Sequence, residues 1–250
     1  MAGLSPDWWQ THFDRETLGG YGLGAKTAAE VRGAVRLLGL RAPADILDLG
    51  CGLGRHSLGL AALGHRVVGL DWSAKLVKAA ARAQRETSAV FVRGDMRRLR
   101  FRSRFDAVVN LFTSFGYFET EEEDVSVLRG VRRALRPGGA FLIDLLNKRW
   151  LLRHFTPTFW QRSADAEVLR AFNRLRFDEG SSRLSNERTL YLRGGGMRRT
   201  FLRFKVYSMP EMERLLASAG LGVGGAWGGF DGRRCGDDAF RMIIRAKPAS

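Results

Sequence analysis

One stretch of the sequence decides the fold: Ile46-Leu47-Asp48-Leu49-Gly50-Cys51-Gly52-Leu53-Gly54-Arg55-His56-Ser57. A short apolar run enters three alternating glycines, and a helical pattern follows them. Glycine adopts positive φ angles and lets the backbone approach a ligand closely. The stretch therefore predicts a strand, a ligand-binding loop and a helix, in that order.

A carboxylate follows the glycine loop at a spacing that suits the binding of a ribose. The next apolar run ends at Asp71, 21 residues after Gly50, where an acid can accept both hydroxyls of a ribose. The dinucleotide fingerprint G-x-G-x-x-G fails because Arg55 stands at its last position, and the Lys-Ser/Thr pair of a phosphate-binding loop is missing. With Asp48 before the glycines, the pattern favours a ligand with a cationic amino-acid head. A plain tight turn would explain the glycines but not the two acids.

Further apolar runs alternate with helical stretches between residues 45 and 147. They cover residues 46–49, 67–70, 90–92, 107–111 and 140–143. Near-continuous runs of this length indicate strands buried on both faces. A helix with Glu121 to Asp124 at its positive end precedes the last run, and Pro137-Gly138-Gly139 ends it. The sequence predicts an α/β protein with a doubly wound, mostly parallel sheet.

Residues 166–207 follow a different pattern. Three alternating runs, Glu167–Phe177, Arg183–Leu192 and Met197–Tyr207, predict an antiparallel three-stranded meander. A helix with a Ser208/Glu211 capping box follows, and 221–232 and 240–246 predict two last strands. We therefore expect a helical cap in residues 1–40, a core in 41–147 and 208–250, and an inserted β lid in 148–207.

Positive charge is concentrated in that insertion. The chain has 250 residues with 41 Lys+Arg against 26 Asp+Glu, a net charge of +15, and residues 148–205 alone hold 14 basic and 5 acidic residues. Period-two alternation puts basic side chains on one face of two runs: Arg170, Arg174 and Arg176 in the first, and Arg199, Arg203 and Lys205 in the third. Either this face meets an anionic substrate, nucleic acid or surface, or it is solvated charge.

Other classes of protein are disfavoured by composition. Only two cysteines occur, Cys51 and Cys235, which argues against a disulfide framework and suits the reducing cytoplasm. Residues 1–10 lack a basic stretch and an apolar stretch, so we expect no signal peptide, and no apolar run approaches the ~18 residues of a membrane span. No His/Cys/carboxylate spacing supports a metal site. We expect a cytoplasmic protein with no metal, no membrane association and no obligate protein partner.

Several segments together resemble the class I S-adenosylmethionine-dependent methyltransferases. They are residues 47–54, 69–73, 93–96, 105–109, 135–139 and 207–220. The resemblance implies the seven-stranded fold of that family, with S-adenosylmethionine as cofactor. It implies that the glycine loop holds the methionine portion, Asp71 the ribose, and Trp72, Asp95 and Met96 the adenine. The cofactor-binding residues predicted in all are Asp48, Gly50, Cys51, Gly52, Gly54, His56, Asp71, Trp72, Asp95, Met96, Asn110 and Phe112.

A narrower resemblance concerns residues 111–118, LFTSFGYF. This segment is similar to the small-molecule branch that includes glycine and sugar N-methyltransferases, in which it lies between cofactor and substrate. Asn110-Leu111-Phe112-Thr113 departs from the Asn/Asp-Pro-Pro-Tyr/Phe motif typical of enzymes that methylate bases in nucleic acids.

The candidate catalytic residues are Tyr117 and His154. Tyr117 would face the substrate, with a packed aromatic as the alternative, and His154 would accept a proton unless its role is structural. His56 would line the cofactor pocket or cap local structure. A group of N-terminal aromatics would cover the pocket or pack in a core: Trp8, Trp9, Phe13 and Tyr21.

Together these features predict an enzyme that transfers a methyl group from S-adenosylmethionine to an N or O atom of a small-molecule acceptor. The basic insertion would suit an anionic acceptor. Two alternatives stay open at this point. One is an RNA methyltransferase that uses the basic second half, which we favour less, and the other is a non-catalytic protein that binds the cofactor.

Overall fold

The computed structural model describes residues 25–84, 87–162 and 168–249, which form two β-sheets and six α-helices. The strands are β1 (Asp45–Leu49), β2 (Arg66–Asp71), β3 (Ala89–Arg93), β4 (Phe105–Asn110), β5 (Leu135–Leu146), β6 (Thr158–Arg162), β7 (Val168–Asp178), β8 (Arg183–Leu192), β9 (Met197–Lys205), β10 (Leu221–Trp227) and β11 (Arg241–Pro248). The helices are α1 (Ala25–Leu38), α2 (Arg55–Ala62), α3 (Ala74–Ala83), α4 (Glu121–Ala134), α5 (Lys148–Arg153) and α6 (Met209–Ser218). A 3-10 turn covers Met96–Arg98.

The larger sheet has seven strands in the order β10-β11-β5-β4-β1-β2-β3. Strands β1 to β5 pair in parallel, and β11 and β10 join antiparallel. This confirms the predicted doubly wound, mostly parallel sheet. The carboxyl ends of β1, β2 and β4 meet at one edge, so the glycine loop, Asp71 and the segment after Asn110 leave the sheet side by side.

Apolar layers cover both faces of this sheet. Ile46 and Leu142 pack with α1 and α2 on one face, whereas Leu47 and Phe141 pack with α4 and α6 on the other. The acidic first turn of α4 is capped by a box in which Thr120 and Glu123 exchange hydrogen bonds. Two strands differ from their predicted bounds. Strand β5, predicted over 140–143, begins at Leu135 directly after α4, and β10, predicted over 221–232, ends at Trp227.

The smaller sheet is antiparallel, in the order β6-β7-β8-β9. The sequence predicted three strands, and the structure adds β6, which pairs with β7 along its whole length. One face of the sheet packs inward, where Leu184 and Phe204 form a small core with Leu151 and Val206.

Some predictions fall outside the described residues. These are the N-terminal aromatics Trp8, Trp9, Phe13 and Tyr21, and most of the predicted cap. Within the described ranges, no helix combines the length and the apolar character that a membrane span needs.

Candidate active site

The glycine loop connects β1 to α2 in a backbone conformation that needs glycine. Gly50, Gly52 and Gly54 have φ angles of 69°, 56° and 78°. A Cβ atom on Gly50 would lie 2.8 Å from Cβ of Ser114, and one on Gly54 would lie 2.7 Å from the Phe91 ring. The side of the loop that faces the protein interior is therefore tightly packed against neighbouring side chains.

Asp71 is the last residue of β2, and its carboxylate holds the glycine loop by a hydrogen bond. Its Oδ2 accepts a hydrogen bond of 2.8 Å from the Gly52 amide, and its Oδ1 accepts one of 2.8 Å from the Ser73 amide. Burial raises the pKa of this carboxyl, and the two backbone hydrogen bonds oppose that rise. Each oxygen keeps a lone pair beyond these bonds, so the carboxylate can accept further donors.

Two polar side chains lie beneath the loop rather than in the open site. Asp48 is 2% exposed and accepts a 2.6 Å hydrogen bond from the Ser57 hydroxyl. Asn110 is 1% exposed and donates to the Leu49 carbonyl at 3.0 Å, which ties the ends of β1 and β4 together. Burial raises the pKa of the Asp48 carboxyl.

The segment after β4 turns sharply at two residues that are not glycine. Phe112 and Thr113 have φ angles of 61° and 56°, a left-handed conformation that costs energy for residues with a Cβ. Asp144 of β5 holds both: its carboxylate accepts from the Phe112 amide at 2.8 Å and its carbonyl from the Thr113 amide at 2.9 Å. Left-handed, well-supported residues of this kind concentrate at ligand sites.

An ionic network joins this turn to the glycine loop. Glu30 of α1 contacts Arg55 at 2.6 Å, His56 at 2.9 Å and Arg241 at 3.3 Å. Arg241 also pairs with the buried Asp144. Burial would raise the pKa of Glu30, but the hydrogen bond with His56 and the charge of Arg55 lower it to about 2.

A cavity of about 340 Å³ lies between the loop, Asp71 and the segment after β4. Ten predicted site residues line it: Gly50, Cys51, Gly52, His56, Asp71, Trp72, Asp95, Met96, Phe112 and Tyr117. The cavity thus brings together most of the predicted cofactor residues and the favoured substrate residue. Burial raises the pKa of the Cys51 thiol, which keeps this lining residue neutral.

Tyr117 reaches the cavity because the chain before it docks on the smaller sheet. The Gly116 carbonyl accepts a 2.7 Å hydrogen bond from the Lys205 amide, at a φ of 90°. The Tyr117 ring then lies 5.4 Å from the Phe204 ring of β9. Tyr117 therefore stands where the two sheets meet.

Four predicted site residues do not line the cavity: Asp48, Gly54, Asn110 and His154. Asp48 and Asn110 lie beneath the loop, and Gly54 is its last glycine and packs against the Phe91 ring. His154 is exposed beyond α5, where its ring stacks on Trp150 at 4.8 Å, and Trp150 in turn contacts Phe240 at the cavity rim. Asp95 lines the cavity with its carboxylate in a 2.7 Å ion pair with Arg97.

Sequence reasoning missed several lining residues. Arg55 and Arg241 lie on the Phe112 ring, with guanidinium carbons 4.6 and 5.0 Å from its centre. Arg241 and Phe240 are remote in sequence from the loop, and no local pattern signals them. Leu202 and Phe204 were foreseeable, because the alternation of β9 placed both on one face.

The described residues hold no group of three or more His, Cys, Asp or Glu side chains that could bind a metal ion. Both cysteines are free.

Comparison with known proteins agrees with this geometry. Residues 46–139 match the family described as methyltransferase domain. The chain is 34% identical over 135 residues to the cypemycin N-terminal methyltransferase of a Streptomyces species, covering 53% of this chain and 55% of the relative. It is 31% identical over 161 residues to the dTDP-3-amino-3,4,6-trideoxy-alpha-D-glucopyranose N,N-dimethyltransferase of Streptomyces venezuelae, covering 64% of each.

A solved structure extends the likeness over nearly the whole chain. The CcbJ methyltransferase from Streptomyces caelestis superposes with a TM-score of 0.83 at 21% identity, covering 96% of this chain and 98% of that one. Over residues 46–139 the chain thus matches a methyltransferase domain, and nearly the whole chain has the fold of a solved methyltransferase. The chain spans between about half and two thirds of the length of the two curated relatives above.

Proposed function

We propose that this protein transfers a methyl group from S-adenosylmethionine to an amine nitrogen of a small-molecule acceptor. The observation that carries the proposal is the shared cavity, in which the glycine loop and Asp71 lie on one side and Tyr117 on the other. The named activities of the two curated relatives, one on a peptide N-terminus and one on an amino sugar, favour nitrogen over oxygen.

The residues present fit the cofactor. Asp71 has lone pairs left for the ribose hydroxyls, and apolar side chains beside it suit an adenine: Trp72, Leu76 and Met96. The glycine loop would hold the methionine portion, with His56 and Cys51 beside it. Asp48 and Asn110 would act beneath the loop by fixing its shape rather than by touching the cofactor.

When bound, the cofactor supplies a sulfonium methyl group that an amine lone pair displaces in line. The protein therefore needs to bind, orient and keep water out, and positioning of this kind is worth up to about 7–11 kcal/mol. Apolar side chains at the far end of the cavity support this role: Phe118, Leu146, Leu202, Phe204 and Phe240. Tyr117 would hold the acceptor amine by a hydrogen bond to its phenol.

We further propose that the smaller sheet serves as the lid predicted for residues 148–207. It supplies Leu202 and Phe204 to the cavity wall, and it docks on the segment that carries Tyr117. His154 would act only at the rim, through Trp150 and Phe240. A cytoplasmic location and the absence of an obligate protein partner stay predictions.

A screen for S-adenosylhomocysteine release tests the proposal. Purified protein would be supplied with S-adenosylmethionine and three pools: amino-sugar nucleotides, short peptides with free N-termini, and RNA. We expect turnover with a member of the first two pools. Turnover with RNA alone, or binding of the cofactor without turnover in any pool, would overturn the proposal.

A further inference from the structure

Six arginines of the smaller sheet lie together on one face of it. Directly paired residues on neighbouring strands share a face, and the registers put Arg162, Arg170, Arg174, Arg176, Arg199 and Arg203 together, which we call the arginine face. The cavity is lined instead by Leu202 and Phe204, which alternate with Arg203 and so point the other way. The arginine face is therefore separate from the active site.

Aromatic rings lie beside the arginines on the same face. Trp160 lies 5.0 Å from Phe172 and 5.4 Å from Tyr191, and it is 52% exposed. The Arg170 guanidinium lies over Trp160 at 4.4 Å and over Tyr191 at 5.7 Å. Contacts of this kind hold a guanidinium flat on a ring and leave its edge N–H groups for an anion.

Little acidic charge opposes these arginines within the described part of the sheet. Glu187 shares the face, 3.8 Å from Arg174, in a pair in which both side chains are more than half exposed. Asp178 is the last residue of β7, and its carboxylate accepts hydrogen bonds from the Gly180 amide and the Ser181 hydroxyl in the turn that follows. The face thus carries a clear excess of positive charge.

We propose that the arginine face docks an acidic, extended polypeptide segment of a partner protein. Residues two apart along a strand repeat every ~6.8 Å on one side, so alternate carboxylates of an extended chain can match arginines such as Arg174 and Arg176. Carboxylates pair with guanidinium groups through two parallel hydrogen bonds. Single-stranded nucleic acid needs open ring faces for stacking, and the Arg170 guanidinium lies over one face of Trp160 and one face of Tyr191. This docking does not depend on the proposed function.

Binding of labelled probes to the full-length protein tests the proposal. The probes are a decapeptide of alternating Glu and Ser, its Lys-Ser counterpart, an oligouridylate, and vesicles containing phosphatidylserine. We expect the Glu-Ser peptide to bind most tightly and to weaken as salt is raised. The double variant Arg170→Glu/Arg199→Glu should lose at least about 10-fold in affinity, since repulsion replaces attraction.

A matched control carries the same change in charge elsewhere. Arg129→Glu/Lys247→Glu alters exposed residues on α4 and β11, outside the smaller sheet, and should bind the peptide like the wild type. Circular dichroism and thermal unfolding, measured on every variant, report whether the fold is intact. Equal affinity of both double variants, no binding of the Glu-Ser peptide, or tighter binding of the oligouridylate or the vesicles would each overturn the proposal.

Discussion

Asp71 connects the loop to the proposed cofactor site. It accepts one amide from the loop and one from the start of α3, and its remaining lone pairs lie at the cavity. Asp71→Ala should weaken cofactor binding about 10–100-fold, the equivalent of about 1.5–3 kcal/mol for one charged hydrogen bond. Calorimetry measures this directly. Asp231→Ala, which removes an exposed carboxylate that does not line the cavity, is the control, and unchanged affinity in a folded Asp71 variant would refute the assignment.

Tyr117 should separate cofactor binding from methyl transfer. If its phenol orients the acceptor, Tyr117→Phe keeps the ring packing on Phe204 and loses only the hydroxyl. We expect cofactor affinity to hold and single-turnover rate to fall by about 100-fold or more. Normal turnover would make Tyr117 a packing residue, and loss of cofactor affinity would place it in the cofactor site.

Asp124 should make stability depend on pH. Burial raises its pKa to about 7, although the hydrogen bond from Tyr207 opposes that rise. The folded state therefore holds a proton that the unfolded state has released between about pH 4 and pH 7, so stability falls as pH rises through this window. The full effect is at most about 4 kcal/mol, at 1.36 kcal/mol for each pKa unit.

Denaturant unfolding of the wild type and Asp124→Asn at pH 5 and pH 8 tests this expectation. Asparagine still accepts a hydrogen bond from Tyr207 and does not titrate, so the variant should lose part of the pH dependence. The same pH dependence in both proteins would contradict the account.

At the scale of the element, strand β9 has two different faces. Leu202 and Phe204 line the cavity, and Arg199 and Arg203 lie opposite. Leu202→Ala should raise the acceptor KM by about 10-fold, as expected for apolar contacts removed from a pocket, with cofactor affinity unchanged. Arg193→Gln in the adjoining turn is the control. A larger effect on the cofactor than on the acceptor would show that β9 belongs to the cofactor side.

The placement of the arginines also predicts the salt response. Because the cavity lining contains no arginine of the smaller sheet, KM for a small acceptor should change little with ionic strength. Screening by salt is strong for exposed charges and weak for a closed apolar wall. Initial rates in low and high salt decide this. A steep rise of KM with salt would mean that the arginine face takes part in acceptor binding after all.

At the scale of the whole molecule, local patterns predicted the parts of the site that are made locally. The strand, the glycine loop and Asp71 lie within 26 residues, and their edge of the sheet follows from parallel pairing. The period of β9 likewise predicted that Leu202 and Phe204 lie opposite Arg203, although it did not predict which of the two faces lines the cavity. These features depend on backbone periodicity, which the sequence displays directly.

Features built from remote residues could not be predicted in this way. Arg241 pairs with Glu30 across more than 200 positions, and the left-handed turn at Phe112 depends on Asp144 of another strand. Strand β6 was missed because it is mostly exposed, shows no buried apolar run, and is formed by pairing with β7. All three features depend on tertiary contacts, which leave no local pattern in the sequence.

Transfer of a labelled methyl group tests the central claim most directly. Once an acceptor is found, the protein would be incubated with it and with S-adenosylmethionine carrying a ¹³C methyl group, and the product examined by NMR. We predict one new carbon signal that correlates with an acceptor nitrogen, in step with S-adenosylhomocysteine release and reduced in Tyr117→Phe. Label that stays on the cofactor, or that appears on oxygen or carbon, would contradict the account.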